Sequence, residues 1–131
     1  MSDRLISADR FAVEVERILS EVADGIDSKM PLAVREGCKV AKREVMANAP
    51  YRGLQHPPYK DGFSYKVQKN GRDTTGEVGN KLYPGMVHLL EKGHATIGGG
   101  RVPAYEHMAP AAEKGEEAFV KAVNDAVDGA L

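Results

Sequence analysis

The residues with the spacing of a chemical site lie between Gly93 and Arg101, in the stretch GHATIGGGR. Gly93 and Gly98 stand as far apart as the glycines of a phosphate-cradling loop. Such a loop follows the pattern G-x-x-x-x-G-K-[ST], with a strand before it and a helix opening at the lysine. Here Gly99, Gly100 and Arg101 follow instead, so the lysine and the magnesium-binding hydroxyl are absent, and Pro103 opposes an immediate helix. A dinucleotide loop needs a βαβ unit, and the chain has no such pattern. Three successive glycines maximise backbone freedom. The segment therefore reads as an arm or loop, with an anion site at Arg101 as the alternative.

The other reactive residue types are scattered. His56, His88, His94 and His107 include no i, i+4 pair that would put two ligands on one helix face, and zinc wants four ligands or three and a water. No serine sits in a G-x-S-x-G elbow. Cys38 falls on an apolar helical stripe beside Gly37 and Ala41, the setting of a small buried hydrophobe rather than a nucleophile. Glu116 and Glu117 are adjacent on a helix and diverge. The residues thus predict no catalytic group, no metal and no cofactor.

The 131 residues suit one domain spanning 1–131. A single cysteine excludes an internal disulfide framework and a cysteine-based zinc site. No apolar run approaches the roughly 20 residues that cross a bilayer, and MSDRLISADRF lacks the apolar centre of a signal peptide. A soluble chain with no membrane partner, made in the cytoplasm, is expected. The net charge of −1 argues against a dedicated nucleic-acid binder. The charges are nonetheless segregated. Arg52, Lys60, Lys66, Lys69 and Arg72 face only Asp61 in the middle of the chain, whereas Glu106, Glu113, Glu116, Glu117, Asp125 and Asp128 outweigh Lys114 and Lys121 at its end. A basic middle and an acidic tail could attract each other between subunits; the plainer reading is two solvated faces.

The elements follow from periodicity. Ser7 is a plausible N-cap, and Phe11, Val15, Ile18, Leu19, Val22 and Ile26 form one helical stripe. Gly25 offers a stop and Asp27 and Ser28 a new cap. Met30, Val34, Gly37, Cys38, Ala41 and Val45 form a second stripe, with Pro31 in its first turn. Two helices, or one long helix kinked near Pro31, therefore occupy most of the first half. Asn48 and Pro50 end the helical part. A flexible loop is expected at about 49–62. Phe63, Tyr65 and Val67 then alternate with polar residues, and Asn70-Gly71 predicts a type I′ turn in a hairpin at about 62–79. Two strands need support from another element. Tyr83 to Gly93 suits a helix of two turns or fewer, stopped by Gly93, before a second flexible loop at about 93–103. The last helix begins between Tyr105 and Pro110. The predicted fold is α+β, with N-terminal helices and a C-terminal helix packed on a small antiparallel sheet.

The order of these elements and a set of short motifs resemble the gene-product-ten-like tail-component family of lambda-like tailed bacteriophages. Ala49-Pro50 is similar to the family's Ala-Pro after the helix. Asp61-Gly62-Phe63 sits where the family has Asp-Thr-Gly, and Leu90-Glu91-Lys92-Gly93 resembles its Val-Glu-Phe-Gly. Pro103-Ala104-Tyr105, with Met108, Pro110 and Ala111, is similar to its Pro-Ala-x-Pro-Phe-Leu-x-Pro-Ala. The missing threonine, Lys92 in place of an aromatic residue, and Glu106-His107-Met108 in place of Pro-Phe-Leu are departures. The resemblance covers about Val34 to Val127. It implies a non-enzymatic virion protein of the neck or tail end, assembled in the host cytoplasm as a sixfold or twelvefold homo-oligomeric ring. Its neighbours would be head-completion and tail-tube or tail-terminator proteins, with a passing contact to genomic DNA. Subunit contacts would fall on the basic set Arg52, Lys60, Lys66, Lys69 and Arg72, on Gly98, Gly99, Gly100, Arg101 and Tyr105, and on the acidic Glu113, Glu116 and Glu117. A tail terminator capping the tube, or a nucleic-acid-binding module using Tyr65 and the basic hairpin, are the alternatives.

Overall fold

The computed structural model of the chain describes residues 8–50 and 56–130. Its backbone is one continuous helix, α1 (Ala8–Asn48), of 41 residues, about 60 Å long at 1.5 Å per residue. Of the two arrangements the stripes allow, the single helix is the one formed. Ser7 lies outside the described residues. At 100° per residue, the first stripe is centred about 100° around the helix from the second, so the two face different surroundings. Pro31 lies inside the helix. Its ring nitrogen cannot donate to the carbonyl of Asp27, four residues back. That carbonyl instead receives Lys69 Nζ at 3.3 Å. The helix ends at Asn48, whose amide donates to Glu44 O at 2.9 Å, just before Pro50.

Residues 51–55 of the expected loop lie outside the described residues. A 3-10 turn at Tyr59–Gly62 leads into β1 (Phe63–Asn70), which pairs antiparallel with β2 (Asp73–Asn80). Register corrects the expected turn. Asn70 pairs with Asp73, so Gly71 and Arg72 are the central residues. Gly71 has φ +62°, and among the described residues only glycines take positive φ. Positive φ at the first central position alone is the pattern of a type II′ turn, not the type I′ turn read from Asn70-Gly71. The hairpin rests on α1. Gly76 is the point of closest approach, where a Cβ would come within 2.6 Å of Cys38 Sγ and of Val34.

After the hairpin, α2 (Pro84–Lys92) begins on a proline at its N-terminus and stops at Gly93. Two short strands, β3 (His94–Ala95) and β4 (Arg101–Val102), form a second antiparallel pair within the stretch expected to be a flexible loop. The chain closes with α3 (Met108–Ala130). It runs antiparallel to α1, with Gly115 against Gly37 and Ala130 level with Gly25. The α1–α3 pair is the largest contact between elements. The compact core lies at one end: Val45, Tyr59, Phe63, Leu90 and Ala111 are buried together there. At the other end α3 stops at Ala130, level with Gly25, and α1 extends further, back to Ala8.

The α1–α3 crossing depends on glycine. A Cβ on Gly115 would meet Gly37 O at 2.8 Å and Ala41 Cβ at 2.9 Å. These obstacles are a backbone oxygen and a packed methyl, which cannot swing away. In an exposed helix, Gly→Ala stabilises by about 1 kcal/mol. Here Gly115→Ala is expected to destabilise by about 1–3 kcal/mol through overpacking, as read by urea unfolding. A more stable variant would show that the crossing tolerates the methyl.

Candidate functional site

The groups that fix the C-terminal half converge on one carboxylate. Glu91, near the end of α2, accepts the backbone N–H groups of His107 and Met108 on Oε1, both at 2.9 Å, and that of Ala109 on Oε2 at 2.9 Å. These are the unpaired donors at the start of α3. A side chain from another helix thus supplies the cap, and its negative charge sits at the positive end of the α3 dipole. Two residues on, Gly93 has φ +73°, and a Cβ there would lie within 2.5 Å of Val102 O and 2.9 Å of Ala104 N. The spacing Glu-x-Gly therefore combines a cap with a close passage of the chain. Tyr105 N donates to Leu90 O at 2.6 Å and completes the clamp.

Behind the cap lies a sealed polar chain. Tyr59 and His107 are 2% and 0% exposed. His107 Nδ1 lies 2.9 Å from Tyr105 O and 3.0 Å from Glu91 Oε1, both acceptors. Nδ1 therefore carries the proton in this network, and the Tyr59 hydroxyl donates to Nε2 at 2.7 Å. Burial, and secondarily the Glu91 charge, push the Tyr59 hydroxyl up to about 12. Carboxylate, imidazole and phenol in line have the order of a proton relay, but both rings are closed off from solvent. Their rings pack edge to face, with centroids 5.5 Å apart, and Phe63 joins them. Asn80, also buried, donates to Tyr59 O at 2.7 Å and accepts from Leu82 N and Tyr83 N at 3.0 and 2.8 Å. It fits against Gly62, where a Cβ would strike its side chain. The glycine of Asp61-Gly62-Phe63 is thus a space requirement.

The glycine-rich segment is a tight hairpin. Thr96 N donates to Gly100 O at 2.8 Å, and Gly99 N to Thr96 O at 3.2 Å. Gly99 alone of the three glycines has positive φ, +90°. This is a three-residue hairpin loop, Ile97-Gly98-Gly99. Ile97, at its tip, is completely exposed. Arg101 is exposed and donates to Lys92 O at 3.2 Å, and Tyr105, at the base, is half exposed.

The predicted contact residues separate into groups. Arg52 lies outside the described residues, and Lys60 is exposed on the 3-10 turn. Lys66 pairs with Glu77 across the hairpin at 3.5 Å. Arg72 reaches Asp27 at 3.0 Å and Asp24 at 3.3 Å on α1, and Lys69 holds the Asp27 carbonyl. The hairpin cations are therefore engaged within their own subunit. Glu113, Glu116 and Glu117 come together with Val120 and Asp125 on the outer face of α3. A basic patch that the sequence reading missed is formed by Lys39, Lys42 and Arg43 of α1 beside Tyr65. Its signal was the i, i+3, i+4 spacing of those cations. Cys38 is buried, and desolvation raises its thiol pKa, although Arg35 acts the other way. Among the described residues, no cluster of histidine, cysteine and acids could hold a metal ion, and no helix is long and apolar enough to cross a membrane.

A model of the family described as "Bacteriophage HK97-gp10, putative tail-component" matches residues 13–93. The chain belongs to that family. The match begins earlier and ends sooner than the motif resemblance, and it closes on Gly93, the last residue of the Glu-x-Gly clamp. No curated protein and no solved structure matches the chain. Membership makes this an α+β protein of a phage tail-component family, and a tail component is part of the virion. Glu91 and Gly93 both fall within the matched residues, and the structure gives each a physical task.

The cap has a pH signature. Burial pushes the Glu91 carboxyl up, but the N–H donors of His107, Met108 and Ala109, with His107 itself, outweigh it. The net pKa lies below the ordinary value of 4.5. A depressed folded-state pKa contributes stability that is present above the unfolded value and lost as pH falls through the folded one. Glu91→Gln is expected to cost about 1–3 kcal/mol at pH 7. The gap between variant and wild type should narrow as pH falls below the ordinary carboxyl value of 4.5. Urea melts from pH 7 to pH 3 read this directly. A gap of constant size would mean that the carboxylate charge contributes nothing.

Proposed function

We propose that this HK97-gp10-like chain is a structural subunit of a ring at the phage head–tail junction or tail end, acting by interface burial and not by catalysis. The carrying observation is surface. A compact monomer of 131 residues exposes about 6,800 Å², whereas this chain exposes 9181 Å². The excess, about 2,400 Å², exceeds the roughly 1,600 Å² that two standard half-interfaces bury on one subunit. Two half-interfaces per subunit is what a head-to-tail ring uses. The exposed set is also apolar: Phe11, Ile18, Leu19, Leu32, Ile97 and Val120 are at least 47% exposed.

The electrostatic part of the contact is redrawn from the hairpin to α1. With Lys69 and Arg72 engaged on their own helix, the cations offered to a neighbour are Lys39, Lys42 and Arg43. The acidic face of α3, with Glu113, Glu116 and Glu117, is their counterpart. The β3–β4 arm, with Ile97 at its tip, supplies an apolar anchor to a neighbouring subunit or layer. The near-neutral net charge and the acidic face of α3 weigh against the nucleic-acid reading.

Electron microscopy of lysates from phage lacking this gene tests the reading. Separate filled heads and separate tails are the expected result. Normal particles would overturn it. Within the virion, Ile97→Asp is expected to cut infectious titre at least tenfold. The melting of the isolated chain should change by less than about 0.5 kcal/mol, because the side chain touches nothing within its own subunit. An unaffected titre would remove the arm from the interface.

A further inference from the structure

The geometry points to a helix-in-groove contact between copies: the N-terminal part of α1, from Phe11 to Asp24, docks its apolar stripe into the α1–β2–α3 groove of the next subunit. This rests on the ring reading above and gives it a specific interface.

Among the described residues, the donor surface has no packing partner. Phe11, Val15, Ile18 and Leu19 are 61%, 37%, 50% and 63% exposed, yet they follow the i, i+4, i+7, i+8 order of helix-in-groove anchors. With Val22 they cover one side of the helix only. Glu14, Arg17 and Glu21 lie to the other side, joined at 2.9 and 2.8 Å. That ladder favours the helical state of the segment.

The acceptor surface is on the same chain. A groove of about 430 Å³ runs between α1, β2 and α3. Its sides are small or apolar: Ala112 is exposed at its rim and Val34 and Phe119 wall it, while at Gly37 and Gly76 α3 and the hairpin close onto α1. Cys38 is on its floor, and Thr74 Oγ1 is buried there without a hydrogen-bond partner. No charged side chain except Glu116 lines it. A ridge of large aliphatic side chains on one helix and a trough of small ones elsewhere are complementary in shape.

The two surfaces cannot meet within one subunit. Both belong to the same continuous helix, and Val15 lies about 35 Å from the middle of the groove along it, at 1.5 Å per residue. Only another copy can bring them together. Each chain then donates one helix end and accepts another, which is a heterologous contact that propagates or closes as a ring. A stable interface uses about 20–30 residues a side. The helix end supplies about fifteen of these, and the β3–β4 arm and the charged faces extend the contact.

The single native cysteine allows a direct test. Ile18→Cys places a second thiol on the stripe, and a short bismaleimide at pH 8 links it to Cys38 of the neighbour. The expected product is a ladder of two, three, four and more chains on a denaturing gel. Val13→Cys, exposed on the same segment but off the stripe, should give no ladder. A product stopping at two chains would mean a twofold contact, and a cross-link within one chain would mean that α1 folds back. Either result overturns the proposal. In parallel, sedimentation of Phe11→Glu/Leu19→Glu should show loss of the oligomer with an unchanged thermal melt, since these residues lie beyond the α1–α3 contact. An oligomer that survives this variant overturns the docking while sparing the ring. A wild-type chain that is monomeric at every concentration overturns both.

Discussion

The contact on which the C-terminal half depends is the Glu91 carboxylate on the first N–H groups of α3. It links three segments that share little else. Glu91 belongs to α2, the donors belong to α3, and the arm of β3 and β4 is the chain that joins them. Fixing both ends of that connection decides where the arm projects. The same carboxylate holds His107, which holds Tyr59, which receives Asn80. A polar chain of this length in a small core is tolerable only when each member has its partner, and here each does. Net stabilisation from any one of these bonds is about 1 kcal/mol. Their greater effect is orientation: they leave α3 one way to start and hence one face to lay on α1.

Much of this was legible in the sequence. The α+β class, the C-terminal end of α1, the start of α3, the hairpin and the phage-tail family all follow from periodicity, punctuation and motif order. The errors have physical causes. Pro31 and the shift between two stripes left two helices or one long helix open; the single helix forms, and the Asp27 carbonyl that Pro31 orphans is satisfied by Lys69, 42 positions away. No local pattern announces a donor at that distance. The turn was misassigned because Asn-Gly favours a central pair, whereas pairing of Asn70 with Asp73 put Gly71 and Arg72 there. The cap on α3 escaped because sequence patterns seek a capping residue next to the helix. Glu91 caps from 16 residues upstream of His107.

The contact residues were half legible for a related reason. Charge runs in sequence show where like charges gather, not which of them remain available. Lys69 and Arg72 are consumed by the helix beneath them, one by a carbonyl and one by Asp24 and Asp27. The acids of α3 have only local partners, such as Lys114 with Glu117 at 3.9 Å and Lys121 with Asp125 at 3.1 Å. Exposed pairs of that kind contribute little and exchange readily, so the α3 face keeps its negative field for a neighbour.

Pro31 also explains how one helix can serve two surroundings. On its C-terminal side α1 faces α3 and the hairpin, and its stripe is built of small residues that admit close packing. On its N-terminal side the stripe is rotated and built of Phe, Val, Ile and Leu, which suit a groove rather than a backbone crossing. A helix that belonged wholly to one core would keep one phase along its length. The change of phase falls between Ile26 and Met30, where Asp27 receives both Arg72 and Lys69. The hairpin tip thus braces the helix at the boundary between its two roles. Without that brace the segment before Pro31 could swing independently, and its apolar side could fold back or collapse on any surface. Held in line with the rest of α1, it projects beyond the subunit in a fixed direction, which is the condition for a repeating contact.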